Sequence, residues 1–144
     1  MTEEIASRMR AVIGRLGRGL RQTRAGTDLS PSQYEVLASV SFRERVRMSD
    51  LAALEGLNPT LLSRIVGHLE EAELVTREAD TTDRRVAHVV VTDKGRDMHD
   101  RIRGERTDVL AIALDGLDEE EVAALTNALP VLESLAKTIR GRSL

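Results

Sequence analysis

The sequence contains no cysteine and no tryptophan, and Tyr34 and Phe42 are its only aromatic residues. Without thiols there is no disulfide, no thiolate zinc or iron–sulfur site, and no cysteine nucleophile or redox sensor. A cytoplasmic location fits that absence, and Met1 to Arg10 lacks the apolar stretch of a signal peptide. No apolar run approaches the roughly 18 residues of a membrane helix, so no membrane partner is expected. Scarce aromatics leave the core to Leu, Val, Ile and Ala, which suits thin layers of packed helices. They also argue against single-strand binding by base stacking. A Gly-rich phosphate loop, a nucleophile elbow and a convergent acid–base pair are missing too, so the chain is not expected to be an enzyme or to hold a cofactor.

What is present is 144 residues with 31% charged groups and a net charge of −3. The length predicts a single domain over 1–144. The charge is uneven: +3 over residues 1–30, −2 over 31–103 and −4 over 104–144. A net-negative chain is a poor general polyanion binder. If it binds DNA, its basic groups must be gathered on one surface.

Apolar periodicity predicts a helix over 3–24, with Ile5, Met9, Val12, Leu16 and Leu20 on one stripe and Gly26 ending it. Ser30-Pro31-Ser32-Gln33 is a capping box with Pro at the first helical position. The helix it opens should run to about Phe42 and bury Tyr34, Leu37, Ala38 and Phe42. Val46 to Met48 is a brief strand. Ser49 then caps a short helix to Glu55, burying Leu51, Ala52 and Leu54. After a turn at Gly56-Leu57, Asn58-Pro59 opens a helix to about Glu73 with Leu62, Ile65, Val66 and Leu69 inward. A short helix, a Gly-containing turn and a second helix form the helix-turn-helix pattern.

Leu74 to Arg77 and the β-branched run Val86 to Val91 read as strands around a polar tip. Thr92 caps a long helix to Asp115, carrying Met98, Ile102, Val109, Ile112 and Ala113. Gly116 breaks it, and Asp118 leads a capping box with Glu121. The last helix carries Val122, Leu125, Leu129, Leu132, Leu135 and Ile139, with a kink or break expected at Pro130. The class is mostly α with a small β-hairpin wing.

A helix-turn-helix followed by a hairpin is a winged helix, whose second helix enters the major groove. At about 100° per residue, the face opposite its apolar stripe carries Thr60, Arg64, Gly67 and Glu71, flanked by Ser63 and His68. An Arg there can read guanine; taken alone, the same Arg is a solvated charge. The tip Asp80-Thr81-Thr82-Asp83-Arg84-Arg85 can send Arg84 or Arg85 into the minor groove, with Asp83 aiming Arg85. Arg77 contacts phosphate or lines its strand. Ser49 and Asn58 are helix caps first and phosphate contacts second. His68, His88 and His99 show no converging metal spacing.

These residues resemble the MarR (multiple antibiotic resistance regulator) family. The matching stretches are Leu51-Ala52, Asn58 to Arg64, Leu69 to Val75, Asp83-Arg84-Arg85-Val86, and Val91-Thr92-Asp93-Lys94-Gly95. The resemblance covers essentially the whole chain. It implies a homodimer whose terminal helices (1–30 and 104–144) interlock while the winged helix-turn-helix of 31–103 reads a pseudo-palindromic double-stranded operator. It also implies a repressor released by a small-molecule effector, held between the two regions. The apolar stripes at both chain ends independently call for a second subunit to cover them. Net acidity leaves one other reading, a winged helix used only as a protein–protein scaffold.

Overall fold

The computed structural model describes residues 1–22 and 28–142. In chain order the described elements are α1 (Thr2–Arg21), α2 (Pro31–Arg43), β1 (Arg45–Arg47), α3 (Met48–Glu55), α4 (Pro59–Glu71), β2 (Val75–Ala79), β3 (Ala87–Val91), α5 (Asp93–Asp115) and α6 (Glu119–Arg142). The three strands form one antiparallel sheet in the order β1-β3-β2. This is the expected winged helix, with the brief strand β1 paired to β3 at the sheet's edge.

The starts of four helices follow from local chemistry. Ser30 Oγ accepts from the Gln33 amide while Gln33 Oε1 accepts from the Ser30 amide. Asn58 Oδ1 accepts from the Leu61 amide at 2.8 Å. Thr92 Oγ1 accepts from the Gly95 amide, and Asp118 and Glu121 bond reciprocally as a second capping box. Each satisfies an amide the helix itself leaves unpaired.

Elsewhere the structure corrects the sequence reading. Strand β1 sits one residue earlier than expected, since Val46 pairs with Val89 and Arg47 with His88. Arg47 therefore becomes the cap residue of α3, and Ser49 lies exposed in the first turn, capping nothing. Phe42 is 77% exposed rather than buried. It lies two residues beyond the buried Val40, about 200° around the helix, and the Arg43 guanidinium lies 5.6 Å from its ring centroid. Ala38 is half-buried and Leu54 is exposed. The hairpin strand β2 reaches Ala79, so the tip shortens to 80–86. Helix α6 runs through Pro130 without a break. The first helix ends at Arg21, and the stop expected at Gly26 lies outside the described residues.

The core belongs to the winged helix. Val36, Leu37 and Val40 from α2 meet Leu51 from α3, Leu62, Val66 and Leu69 from α4, and Leu74, Val75 and Val89 around the sheet. Each such side chain contributes roughly 1.5–3 kcal/mol on burial. The one buried aromatic, Tyr34, sits outside that cluster. It stacks on His99 of α5 at 5.9 Å, and the Arg106 guanidinium lies 4.1 Å over its ring. Burial pushes the Tyr34 phenol upward against the opposing pull of Arg106.

The start of α5 is pinned to the turn after α4. Thr92 Oγ1 donates to the Glu73 carbonyl at 2.7 Å, Lys94 Nζ to the Ala72 carbonyl at 2.9 Å, and the Thr92 amide to the Leu74 carbonyl at 3.1 Å. Gly95 is what permits this approach. A Cβ there would lie 2.0 Å from the Leu74 carbonyl oxygen, a backbone atom that cannot turn aside. The expected boundary at 103/104 falls inside α5, which is one continuous helix linking the winged helix to the C-terminal region.

Candidate nucleic-acid interface

Helix α4 buries Leu62, Ile65, Val66 and Leu69 and turns the opposite face outward. Thr60, Arg64 and His68 are exposed there, with Ser63 and Gly67 half-covered beside them. The Arg64 guanidinium has no protein partner among the described residues. Asn58 uses its carbonyl oxygen as the cap and leaves its amide hydrogens outward.

Arg77 is placed differently. From β2 it reaches back to α4, donating from Nη2 to the Ser63 carbonyl at 2.7 Å and from Nη1 to Ser63 Oγ at 3.4 Å. Its Nε pairs with Glu70 at 2.9 Å. Its guanidinium thus fastens the hairpin to α4. Ser63 Oγ, accepting from Arg77, keeps its own hydrogen to donate outward.

At the wing tip, Arg85 is 91% exposed along its side chain and pairs with Asp83. Asp83 Oδ1 accepts from both the Arg85 amide (3.0 Å) and Nε (3.1 Å), and Oδ2 from Nη2 (3.3 Å). Those bonds, the side-chain one foremost, hold the Asp83 carboxyl below its ordinary value. Arg84 beside it is exposed and free of partners among the described residues. Behind the tip, Asp80 takes hydrogen bonds from the Thr82 hydroxyl, His88 and the amides of Asp83 and Thr82. Together they hold its carboxyl well below the usual carboxylate range.

The structure therefore brings Arg64, Thr60, Ser63, Gly67 and His68 onto one helix face and sets Arg84, Arg85 and Asp83 together on the hairpin. Three contributors escape sequence reasoning: Glu70, Asp80 and His88. Asp80 followed by two threonines carries the signature of a side-chain turn. His88 gives no local signal, because its contact depends on hairpin register. Among the described residues no group of His, Asp or Glu converges as a metal site, and no helix is long and apolar enough to cross a membrane.

Comparison with known proteins agrees with this geometry. Residues 29–87 match the model of the MarR family. The HTH-type transcriptional repressor MdtR of Bacillus subtilis is 28% identical over 110 residues, covering 76% of this chain and 71% of that protein. A crystal structure of a putative transcriptional regulator from Pseudomonas aeruginosa is 31% identical, with a TM-score of 0.80 over 94% of this chain and 96% of that one. Streptococcus pneumoniae FabT, solved in complex with DNA, shares the fold at 20% identity, with a TM-score of 0.69 over 96% of this chain and 99% of that one. The architecture, the family model and these relatives agree that the chain belongs to the MarR family of winged-helix transcriptional regulators.

Proposed function

We propose that the chain acts as a homodimer that binds a pseudo-palindromic duplex operator and represses transcription. The observation that carries this reading is the presence of two exposed cationic groups: Arg64 outward and unpaired among the described residues on α4, and Arg85 91% exposed at the wing tip while oriented by its pair with Asp83. In a two-fold dimer, the two α4 helices reach successive major-groove faces about 34 Å apart. Arg64 then reads a guanine edge, and Arg85 enters the flanking minor groove, where negative potential is concentrated. Thr60, Ser63, His68, Arg84 and the outward amide of Asn58 add polar and phosphate contacts, and exposed Ser49 adds a phosphate contact from α3. Arg77 serves by holding the wing against α4. The acidic residues 104–144 lie in the terminal helices, which reconciles a net charge of −3 with a DNA partner.

Release by a small effector fits a cleft of about 580 Å³ among α2, α3, α5 and α6, lined in part by Ser39, Leu54, His99 and Arg103. A molecule seated there touches both the winged helix and the helices that set its spacing.

The test is fluorescence anisotropy across a salt series, using an operator selected from random duplexes. Arg64→Ala should relax preference at one guanine by about 1–3 kcal/mol. Arg85→Ala should weaken binding and lower the salt slope by about one. Wild-type affinity in both variants overturns the assignment. No binding even at low salt favours the protein-contact scaffold.

A further inference from the structure

We propose that Asp80 and His88 form a clasp that fixes the wing tip in its DNA-binding shape, making both of them positioning residues for Arg85. The inference rests on the proposed minor-groove role of Arg85. It adds residues that neither the recognition helix nor the exposed arginines account for.

The geometry is a continuous relay. His88 stands on β3 opposite Glu78 of β2, just below the tip. Its Nε2 lies 2.9 Å from Asp80 Oδ1. Asp80 is held ionised and so only accepts, which makes Nε2 the donor. The other carboxylate oxygen, Oδ2, gathers the Thr82 hydroxyl at 2.7 Å, the Thr82 amide at 3.2 Å and the Asp83 amide at 3.1 Å. Asp83 in turn grips the Arg85 backbone and guanidinium. The Asp80 and Val86 backbones close the loop, the Asp80 amide donating to the Val86 carbonyl at 2.9 Å. Burial follows the same order. The His88 and Asp80 side chains are 12% and 18% exposed, against 91% for Arg85. The tip thus has a sheltered root and an open end.

The shelter matters because a seven-residue loop that orders only on contact with DNA loses conformational freedom at that moment. A loop already ordered in the free protein does not, and its affinity is higher by that difference. Asp80 fastens the loop to itself, and His88 fastens Asp80 to the sheet. Without His88, the carboxylate is free to swing with the loop it organises.

The experiment uses the full chain and the selected operator. His88→Ala should weaken binding about tenfold, as loss of one hydrogen bond to a charged group does. His88→Gln, which offers an Nε2 hydrogen at similar reach, should restore affinity to within roughly twofold. In an Arg85→Ala background, His88→Ala should cost nothing further, because its effect passes through that guanidinium. Amide exchange at Thr82 and Asp83 should quicken in His88→Ala while the melting midpoint holds. If the midpoint falls, Thr82→Val replaces it: isosteric and exposed, it removes the shortest bond to Asp80 and should show the same dependence on Arg85. Weak Arg85→Ala binding alongside full affinity in His88→Ala overturns the clasp alone. An equal loss from His88→Ala in both backgrounds also overturns it, leaving His88 a residue of general stability. Wild-type affinity in Arg85→Ala overturns the wing reading itself.

Discussion

The winged helix and the terminal helices use the same residue types in opposite ways. In the first, Val36, Leu37, Val40, Leu51, Leu62, Val66 and Leu69 are all fully buried. In the second, neither α1 nor α6 buries a single described residue. Ile5, Val12 and Leu16 on α1, and Leu125, Leu129, Leu135 and Ile139 on α6, stand open to solvent. Apolar area of that extent on a monomer marks an interaction surface. One region closes its own core, while the other carries half a core whose remaining half is, on our reading, a second copy of the chain. On that reading the fold is self-sufficient in the proposed DNA-binding region and depends on a partner in the helices proposed to set its spacing.

The strongest way to break that contrast is to charge the open half. Leu129→Glu places a carboxylate in the middle of α6 and should weaken the dimer by about 3 kcal/mol or more, at least a hundredfold. Sedimentation should shift from twice the chain mass toward 15.9 kDa, with loss of helical circular dichroism from the uncovered ends. Cooperative operator binding should fall with it. A wild-type chain that sediments as a monomer ends the contrast outright.

The converse perturbation strikes the closed half. Gly95→Ala drives a methyl group into the Leu74 carbonyl. It should destabilise the winged helix by about 3 kcal/mol, the upper end for overpacking. Urea unfolding measures this, and the dimer mass at zero urea should be unchanged. A loss under about 0.5 kcal/mol, the range of ordinary surface substitutions, would mean that the α4–β2 turn and α5 are not rigidly docked.

The same division decides what could be read from the sequence. Features completed within a few residues were legible: the boxes at Ser30–Gln33 and Asp118–Glu121, the caps Asn58 and Thr92, and the Asp83–Arg85 pair. Features completed by a distant segment were not. Strand β1 is set by β3, more than forty residues on, and its register moved the cap of α3 from Ser49 to Arg47. Phe42 looks like core by composition, but the Val36–Leu37–Val40 face leaves it outside. Arg77 is an ambiguous strand residue until α4 is seen to supply Ser63 and Glu70. His88 looks isolated until the hairpin carries it to Asp80. Pro130 forfeits one backbone bond, yet the helix continues, so the local penalty did not decide the element's length. Residue types and helix phase put Arg64 on the outward face of α4, where the structure has it, whereas the supports of the wing needed three dimensions.

A milder substitution sharpens the boundary between reading surface and core. Gly67 lies half-covered on the α4 face, and an added Cβ would sit 3.7 Å from Arg77 Nη2, an ordinary contact. Gly67→Ala should therefore raise stability by up to about 1 kcal/mol, the intrinsic helix preference. If DNA backbone approaches that face closely, affinity should fall as stability rises. Paired urea and anisotropy measurements give the two signs. Higher stability with unchanged affinity removes Gly67 from the interface.

The smallest effect lies at the junction of the two regions, where His99 of α5 stacks on Tyr34 of α2. Burial first, and Arg103 next, hold His99 below its ordinary value. The unfolded chain therefore takes up the proton more readily than the folded one. Stability from this residue is complete above about pH 6.5 and declines as pH falls through that value toward the folded one. His99→Phe keeps a ring against Tyr34 and removes the titration, so its urea midpoint should vary less between about pH 7.5 and about pH 5.5 than that of the wild type. Since His99 also lines the cleft among α2, α3, α5 and α6, the slope reports on the joint between the self-covered winged helix and the exposed apolar helices. Parallel slopes in the two proteins would mean that the joint does not sense this proton and that other groups carry the acid sensitivity.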